Sequence, residues 1–466
     1  MNQRMPLIIP VENQVRELDS KLLLACIAAR RGFASYIGSH RHIDLRITAF
    51  PRSLYLCKSF TARNLKMLRI MRKLGHSILS WDEEALVHLP ADMYFSRRLS
   101  PDVMPYISHL FAWGDDNAEL WRGYPSLPAD LPIHVTGNPR SDLLRPEFRI
   151  FYRHEAEAIR RAHGSYILVN TNFNHVNAYF PAQNLFRPAG RGGARLTPGK
   201  AGLGMSLEFA EALRDHKQAL FEHFQQLIPA LEQAFPHHTV VVRPHPTENP
   251  RVYHAIASRC ERVRVACEGN VVPWLMNASA LVHNGCTTGV EAYAIGVPAI
   301  SYHPCVDVDI DEGFYYLPNQ LSYQCFDQNE LFATLARIID GHLGVANGGK
   351  RRRLFNRHVC AVDPDLACTR MVDVLDAVSQ ENGTRGKPDR SGQVSGWCLA
   401  NGRRLVKWAT ASLPGTHAPP DFHRHRYPGI SLEQLRARLD SLQRVLGDDT
   451  PIRTEQVHDH IYRISA

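Results

Sequence analysis

The chain has 466 residues, of which 44% are hydrophobic and 21% charged, and it carries a net charge of +8 at pH 7. That length points to two or three domains, and the composition of an ordinary globular protein excludes disordered and fibrous classes. The longest apolar run, Leu22–Ala29, falls far short of the ~20 residues that span a bilayer.

The positive balance suits anionic partners such as nucleotide sugars, acidic lipid headgroups or nucleic acid, without choosing among them. The apolar stretch PLIIPV is too brief for a signal peptide and meets Glu12 at once. Ten cysteines form no C-x-x-C pair and no zinc-ligand spacing, so they read as reduced core thiols. The expectation is a cytoplasmic protein, peripheral at the inner face of the membrane.

In chain order, PLIIPV reads as a strand and Val15–Arg30 as a helix with Leu18, Leu22, Leu23, Cys26 and Ile27 on one face. ASYIG is a second strand. A helix over Thr61–Leu74 runs through Gly75 into the strand HSILSW. FAWG and IHVTG close the series, followed by the turn and cap residues Asp115, Asn117, Asn138 and Pro139. The pattern restarts near Ser165 with SYILVN, TVVVRP, RVRVAC, SALVHN and VPAISY, separated by helices such as Ser206–Ala234 and Val290–Ile295. Strands alternating with helices predict parallel, doubly wound sheets.

The fold expected is therefore α/β, with two Rossmann-like domains facing a central cleft and ligands beyond the carboxyl ends of the strands. Residues 1–160 read as the first domain and 161–375 as the second. Residues 376–466 read as a partly flexible extension with a late helix, Ser431–Leu446, and a last strand, HIYRIS. Two stretches break the pattern. Residues 183–206 contain Arg187, Arg191, Arg195 and Lys200 but no acid, and read as a lid or an anion contact. Residues 380–428, rich in Gly, Pro, Arg and His, read as poorly packed.

Three segments carry chemistry. In VVVRPHPTENP a β-branched strand runs into Arg243-Pro244-His245-Pro246, where two prolines frame one histidine at a strand's carboxyl end. That His can donate to a phosphate or a departing oxyanion; otherwise it caps the following helix. In ALVHNGCTTGVEAYAIGVPAISY a buried strand ends at Asn284-Gly285, and a helix opens at Cys286-Thr287-Thr288-Gly289. Gly285 and Gly289 let backbone approach a ligand, and helix N-terminal N–H groups with two hydroxyls make an anion site, with Glu291 placed for ribose hydroxyls. The alternative there is a plain N-cap with a capping-box Glu. In SILSWDEEALVHLP, Asp82, Glu83 and Glu84 follow a strand, as a general base for an acceptor hydroxyl or as a solvated helix start.

Softer candidates line other strand ends: Glu12, Arg16 and Glu17; Lys58 and Arg140; and Asn170-Thr171-Asn172. Asp307, Asp309 and Asp311 in VDVDIDEG invite a metal reading or one solvent face of an extended segment. No EF-hand loop surrounds them and Gly313 is misplaced for one, so no metal is assigned. The absence of G-x-x-x-x-G-K-[ST], G-x-S-x-G and H-E-x-x-H argues against P-loop, serine hydrolase and zincin chemistry.

VENQVRELDSKLLLACIAARRG, DEEAL, FAWG, TGNPRSDLL, NTNF, RPHP and HNGCTTGVEAYAIGVPAISY, in that order over residues 5–345, resemble the bacterial surface carbohydrate biosynthesis proteins. That family is similar to GT-B glycosyltransferases that use CMP-activated acidic sugars, the bacterial sialyltransferases and Kdo transferases. Their acid-acid-Gly, His-Pro and Ser/Thr-pair motifs correspond here to Glu83-Glu84-Ala85, His245-Pro246 and Thr287-Thr288; the alanine is a departure. The resemblance implies transfer of a Kdo- or nonulosonate-type sugar from a CMP-sugar donor to a glycan or lipid-linked acceptor, with no metal or other cofactor. It implies Glu84 or Glu83 as base, and His245 with the threonine pair at the CMP phosphate. Arg16, Lys58 or Arg140 would pair with the sugar carboxylate. Rival readings are a CDP-glycerol glycerophosphotransferase or UDP-sugar enzyme on the same fold. The charge alone suggests a basic nucleic-acid or membrane binder, but no basic stripe or aromatic RNA motif accompanies it, so nucleic acid is not expected.

Overall fold

The structure, a computed structural model, describes residues 4–86, 90–187, 197–311, 315–360, 364–384, 389–411, 413 and 419–466. Its strands are β1 (Leu7–Val11), β2 (Ser35–Ser39), β3 (Leu54–Cys57), β4 (Ser77–Ser80), β5 (His109–Ala112), β6 (Ile133–Val135), β7 (Tyr166–Asn170), β8 (Thr239–Arg243), β9 (Val263–Val265), β10 (Ala278–His283), β11 (Ala299–Tyr302), β12 (Tyr323–Cys325), β13 (Arg453–His458) and β14 (Ile461–Ser465). The chain divides into two compact units. One comprises Met1–Ala85, Ala91–Phe151 and Asn356–Ala466; the other comprises Leu86–Pro90 and Tyr152–Phe355.

The first unit holds a sheet in the order β13-β14-β2-β1-β3-β4-β5-β6. Its members from β2 to β6 run parallel, while β14 pairs antiparallel with both β2 and β13. β1 is buried at all five positions, as expected for a strand covered on both faces. The helix Gln14–Arg30 is buried continuously from Glu17 to Ala29, not along one stripe as its periodicity predicts. The reason is tertiary: the helices Ala367–Thr384 and Leu432–Leu446 pack on it as well. The Leu432–Leu446 helix opens with a reciprocal Ser431–Gln434 capping box.

Residues 380–428 are helical over much of their described part yet largely exposed, Gly396 being the buried residue of the first helix. Arg390–Thr410 is a helix against the helix Leu65–Lys73, and Gly396 makes the contact, because a Cβ there would lie 2.9 Å from the Lys73 Cβ. A second helix spans Pro420–Arg426. The chain's last segment thus has its packing partners in the first unit, with Ile461–Ile464 in register against Ser35–Gly38.

The second unit holds an all-parallel sheet in the order β12-β11-β10-β7-β8-β9. Its core joins Ile167, Val169, Val240, Val242, Val282 and Ile300 to Phe221, Phe224, Leu227 and Leu231 of the helix Leu207–Ala234. In the basic stretch 183–206, Leu185 and Phe186 pack on Ala210 and Leu213 of that helix; Arg191 and Arg195 lie outside the described residues. Val308–Asp311 is a helical turn, not an extended segment, with the Asp307 N–H donating to the Asp311 carboxylate at 3.0 Å. The Asp309 side chain and Gly313 lie outside the described part. Among the described residues no group of three metal-ligating side chains occurs, and no helix is long and apolar enough to cross a membrane.

Candidate functional site

Each sheet has a switch point, where successive connections leave in opposite directions and the loops part to form a crevice. In the second unit it falls between β7 and β10; in the first, between β1 and β3.

At the second-unit switch point, β7 ends at Asn170 in register with His283 of β10. Three buried oxygens here have no hydrogen-bond partner among the described residues: Asn170 Oδ1, Asn284 Oδ1 and Thr288 Oγ1. Buried polar atoms are nearly always paired, so three orphans on residues at one switch point make this the candidate ligand site. The two amide oxygens ask for O–H or N–H donors, and the Thr288 hydroxyl, opening the helix Thr288–Ile295, suits an anion. The Asn284 amide donates weakly to the Asn172 carbonyl at 3.5 Å. Thr287 is the helix N-cap, and Glu291 lies buried in its first turn.

The glycines of this turn have a local reason that sequence reading did not supply. Gly285 has φ +80°, and a Cβ there would strike the Tyr315 ring at 2.8 Å. A Cβ on Gly289 would meet His283 Nε2 at 2.6 Å. The His283 Nδ1 accepts from the Gly285 and Cys286 N–H groups at 3.0 and 3.2 Å, so Nε2 carries the proton and donates to Ser322 Oγ at 2.9 Å. Burial pushes this imidazole down to about 3, with His303 adding to the shift, so it stays neutral. His283 is thus the clamp of the turn, a role with no sequence signal because a histidine ending an apolar strand reads as part of the strand.

The loop after β8 is organised by Glu248, also unread in the sequence. Its carboxylate accepts from Thr171 Oγ1 at 3.1 Å, the Phe173 N–H at 2.9 Å, the His245 N–H at 3.2 Å and Tyr253 Oη at 2.7 Å. Burial raises its pKa, although the bonds from Tyr253, Phe173 and His245 pull the other way. His245 Nδ1 accepts from Thr247 Oγ1 at 2.8 Å, which makes Nε2 the ring's donor, and Pro246 follows. Arg243 is committed locally: its guanidinium donates to the Glu268 and Gly269 carbonyls at 2.7 and 2.9 Å and lies 5.1 Å from the Trp274 ring centre. Burial lowers it to about 10. Lys217, which sequence reasoning did not single out, is buried 4.8 Å over the Tyr315 ring and pushed down to about 8 by desolvation.

At the first-unit switch point, buried Glu17 accepts from the Glu12 and Asn13 N–H groups at 3.0 Å, from Lys21 at 2.6 Å and from Lys58 at 3.1 Å. Burial would raise its pKa, but Lys21 and Lys58 override that and hold it well below the usual carboxylate range. Glu12 is held by Lys58 and Arg426.

The three acids after β4 separate into different environments. Asp82 is buried, accepting from Tyr94 Oη at 2.8 Å and from Arg98. Glu83 is buried, accepting from Trp81 Nε1 at 2.7 Å with Arg140 at 3.8 Å. Glu84 keeps 40% of its side chain exposed and takes both Arg16 Nη atoms, at 2.8 and 3.2 Å. The structure therefore gathers Arg16, Lys58, Arg140 and the acids at the ends of β1, β3 and β4, and it gathers Asn170, Asn284 and Thr288 at the ends of β7 and β10.

No protein-family model and no curated protein matches the chain. Among solved structures it is similar to a variant of the wall teichoic acid polymerase TagF soaked with CDPG, at 10% identity and a TM-score of 0.51, over 82% of this chain and 90% of that one. The same polymerase in a longer soak gives 10% identity and 0.50 over the same shares. A Methanocaldococcus jannaschii UDP-GlcNAc 2-epimerase with UDP-GlcNAc and UDP gives 10% and 0.48, over 80% and 99%. The chain has a GT-B-like fold. Two Rossmann-like units, each with its crevice at the carboxyl ends of its strands, are what that fold supplies.

Proposed function

We propose that the protein is a glycosyltransferase that transfers an acidic sugar of Kdo or nonulosonate type from a CMP-sugar to a glycan or lipid-linked acceptor. The observation that carries the reading is the set of orphaned oxygens on Asn170, Asn284 and Thr288 at the second-unit switch point. They suit a nucleotide sugar, which brings hydroxyl and amino donors together with a phosphate. Donor binding is assigned to this unit and acceptor activation to the first. The Glu84 carboxylate takes the proton of the acceptor hydroxyl, and the hydroxyl oxygen attacks the anomeric carbon. The bond from that carbon to the CMP oxygen breaks, and the electron pair leaves on the phosphate. His245 Nε2, Thr287 and Thr288 meet that charge without a metal. Arg16, Lys58 or Arg140 pairs with the sugar carboxylate.

Membrane-side work draws support from the helix Arg390–Thr410. Val394, Trp397, Leu405 and Trp408 follow one face and are 63%, 55%, 66% and 80% exposed. The helix also carries Arg390 and Arg404 and no acid, while its Arg403 and Lys407 line a cavity, and an exposed apolar stripe with basic neighbours suits an anionic bilayer at the inner face of the cell membrane.

Titration calorimetry with CMP, CDP, UDP and ADP, each with and without magnesium, tests the donor. CMP binding that needs no magnesium and is weakened about tenfold in Asn284→Ala is the expected result. The likeness to a teichoic acid polymerase soaked with CDPG favours a second reading, glycerophosphoryl transfer from CDP-glycerol. Preference for CDP or a strict magnesium requirement would replace the first reading.

A further inference from the structure

A cavity of about 320 Å³ lies in the first unit beyond the ends of β1 and β2, walled by residues of the helices Arg390–Thr410 and Pro420–Arg426. Four fixed cations line it, Arg41, Arg403, Lys407 and Arg426, against two carboxylates, Glu12 and Asp44. Both acids are already engaged. Glu12 is taken by Lys58 and Arg426. Asp44 accepts from Tyr55 Oη at 3.2 Å and has Arg403 at 3.7 Å and His40 at 3.6 Å. Among the described residues neither Arg41 nor Lys407 has an ion-pair partner, so the concavity holds uncompensated positive charge.

Two buried polar atoms of the lining residues lack a partner among the described residues, Tyr427 Oη and Arg426 Nε. Both are donors where burial makes an unmet donor costly. The His423 imidazole, on the same wall, is pushed down to about 4 by burial, with Arg41 and Arg426 next in effect, which is the imprint of a positive field.

We propose that this cavity binds a phosphate or pyrophosphate group, separately from the donor site. Several oxygens on one compact anion meet Arg41, Lys407 and Tyr427 together, which a single carboxylate does not do. The volume admits such a group and its first attached atoms.

The test is calorimetric titration of the full chain at constant ionic strength with inorganic pyrophosphate, in a Thr288→Val background that weakens phosphate binding at the donor site. Saturable binding is expected, weakened at least about tenfold in Arg41→Gln/Lys407→Gln and severalfold in Tyr427→Phe. Neither change breaks an internal ion pair, and unaltered melting temperatures show that the variants fold. Absence of saturable binding, or equal binding in all variants, overturns the proposal. Vesicles of phosphatidylcholine with phosphatidic acid separate the sources. Vesicle binding displaced by pyrophosphate and weakened in the double variant names a lipid phosphate. Saturable pyrophosphate binding beside vesicle binding that the double variant leaves intact names a free phosphate ligand. Because CMP is absent, failure here leaves the donor reading standing, and the converse also holds.

Discussion

Thr171 Oγ1 stands 3.1 Å from both carboxylate oxygens of Glu248, so one buried side chain ties the loop after β7 to the loop after β8. The same carboxylate holds the His245 N–H, and its position sets that of the histidine. Glu248→Gln replaces an acceptor oxygen with a donor in a site full of donors. We expect a loss of about 2–3 kcal/mol in urea unfolding together with weaker CMP binding. An unchanged unfolding midpoint would remove Glu248 from this role.

Asn170 and Asn284 predict the opposite combination. Their Oδ1 atoms have no partner among the described residues, so Asn170→Ala and Asn284→Ala cost little stability in the free protein. Each removes a contact with the ligand, and nucleotide affinity falls by about tenfold, the equivalent of ~1.4 kcal/mol. Paired melting curves and calorimetry check both halves. A variant that unfolds early yet binds normally would show that these amides are structural.

Glu84 and Glu83 should behave differently despite being neighbours. Glu84→Gln is expected to lower kcat by about 10²–10⁴-fold with donor KM unchanged. Glu83→Gln disturbs a buried carboxylate held by Trp81 and Arg140, and lowers stability first. Full activity in Glu84→Gln would shift the base elsewhere.

The buried His283 makes a pH prediction. Its folded-state pKa of about 3 lies below the ordinary value of 6.5, so the unfolded chain binds the extra proton. Its contribution to stability is complete above pH 6.5 and is lost as pH falls from there toward about 3. Proton uptake on unfolding at pH 5, read from the slope of unfolding free energy against pH, should drop by about one in His283→Asn. An unaltered slope would mean that the imidazole is not held neutral.

The proposed membrane contact rests on the exposed stripe of the Arg390–Thr410 helix. Trp397→Ser/Trp408→Ser should abolish most co-sedimentation with anionic vesicles and leave CMP binding intact. Sedimentation equal to that of the parent chain would exclude this face.

The fold class was legible in the sequence because parallel strands buried on both faces leave short β-branched runs, and the helices between them repeat at a different period. Asn170 and Asn284 were read as candidates for a related reason, since polar residues ending such runs sit at carboxyl ends, where α/β sheets bind ligands, and Thr288 because it opens a helix between two glycines. Tertiary structure alone decided the rest. The pairing of β14 with β2 joins residues more than 400 apart in sequence, and no local pattern encodes it. The acids Asp82, Glu83 and Glu84 look alike in sequence, yet Tyr94 and Arg98, Trp81 and Arg140, and Arg16 give each a different environment. Glu248 acquired its role through Thr171 and Phe173, and His283 through the acceptor Ser322, partners brought from other segments, because the cost of an unpaired buried polar group is settled by neighbours in space.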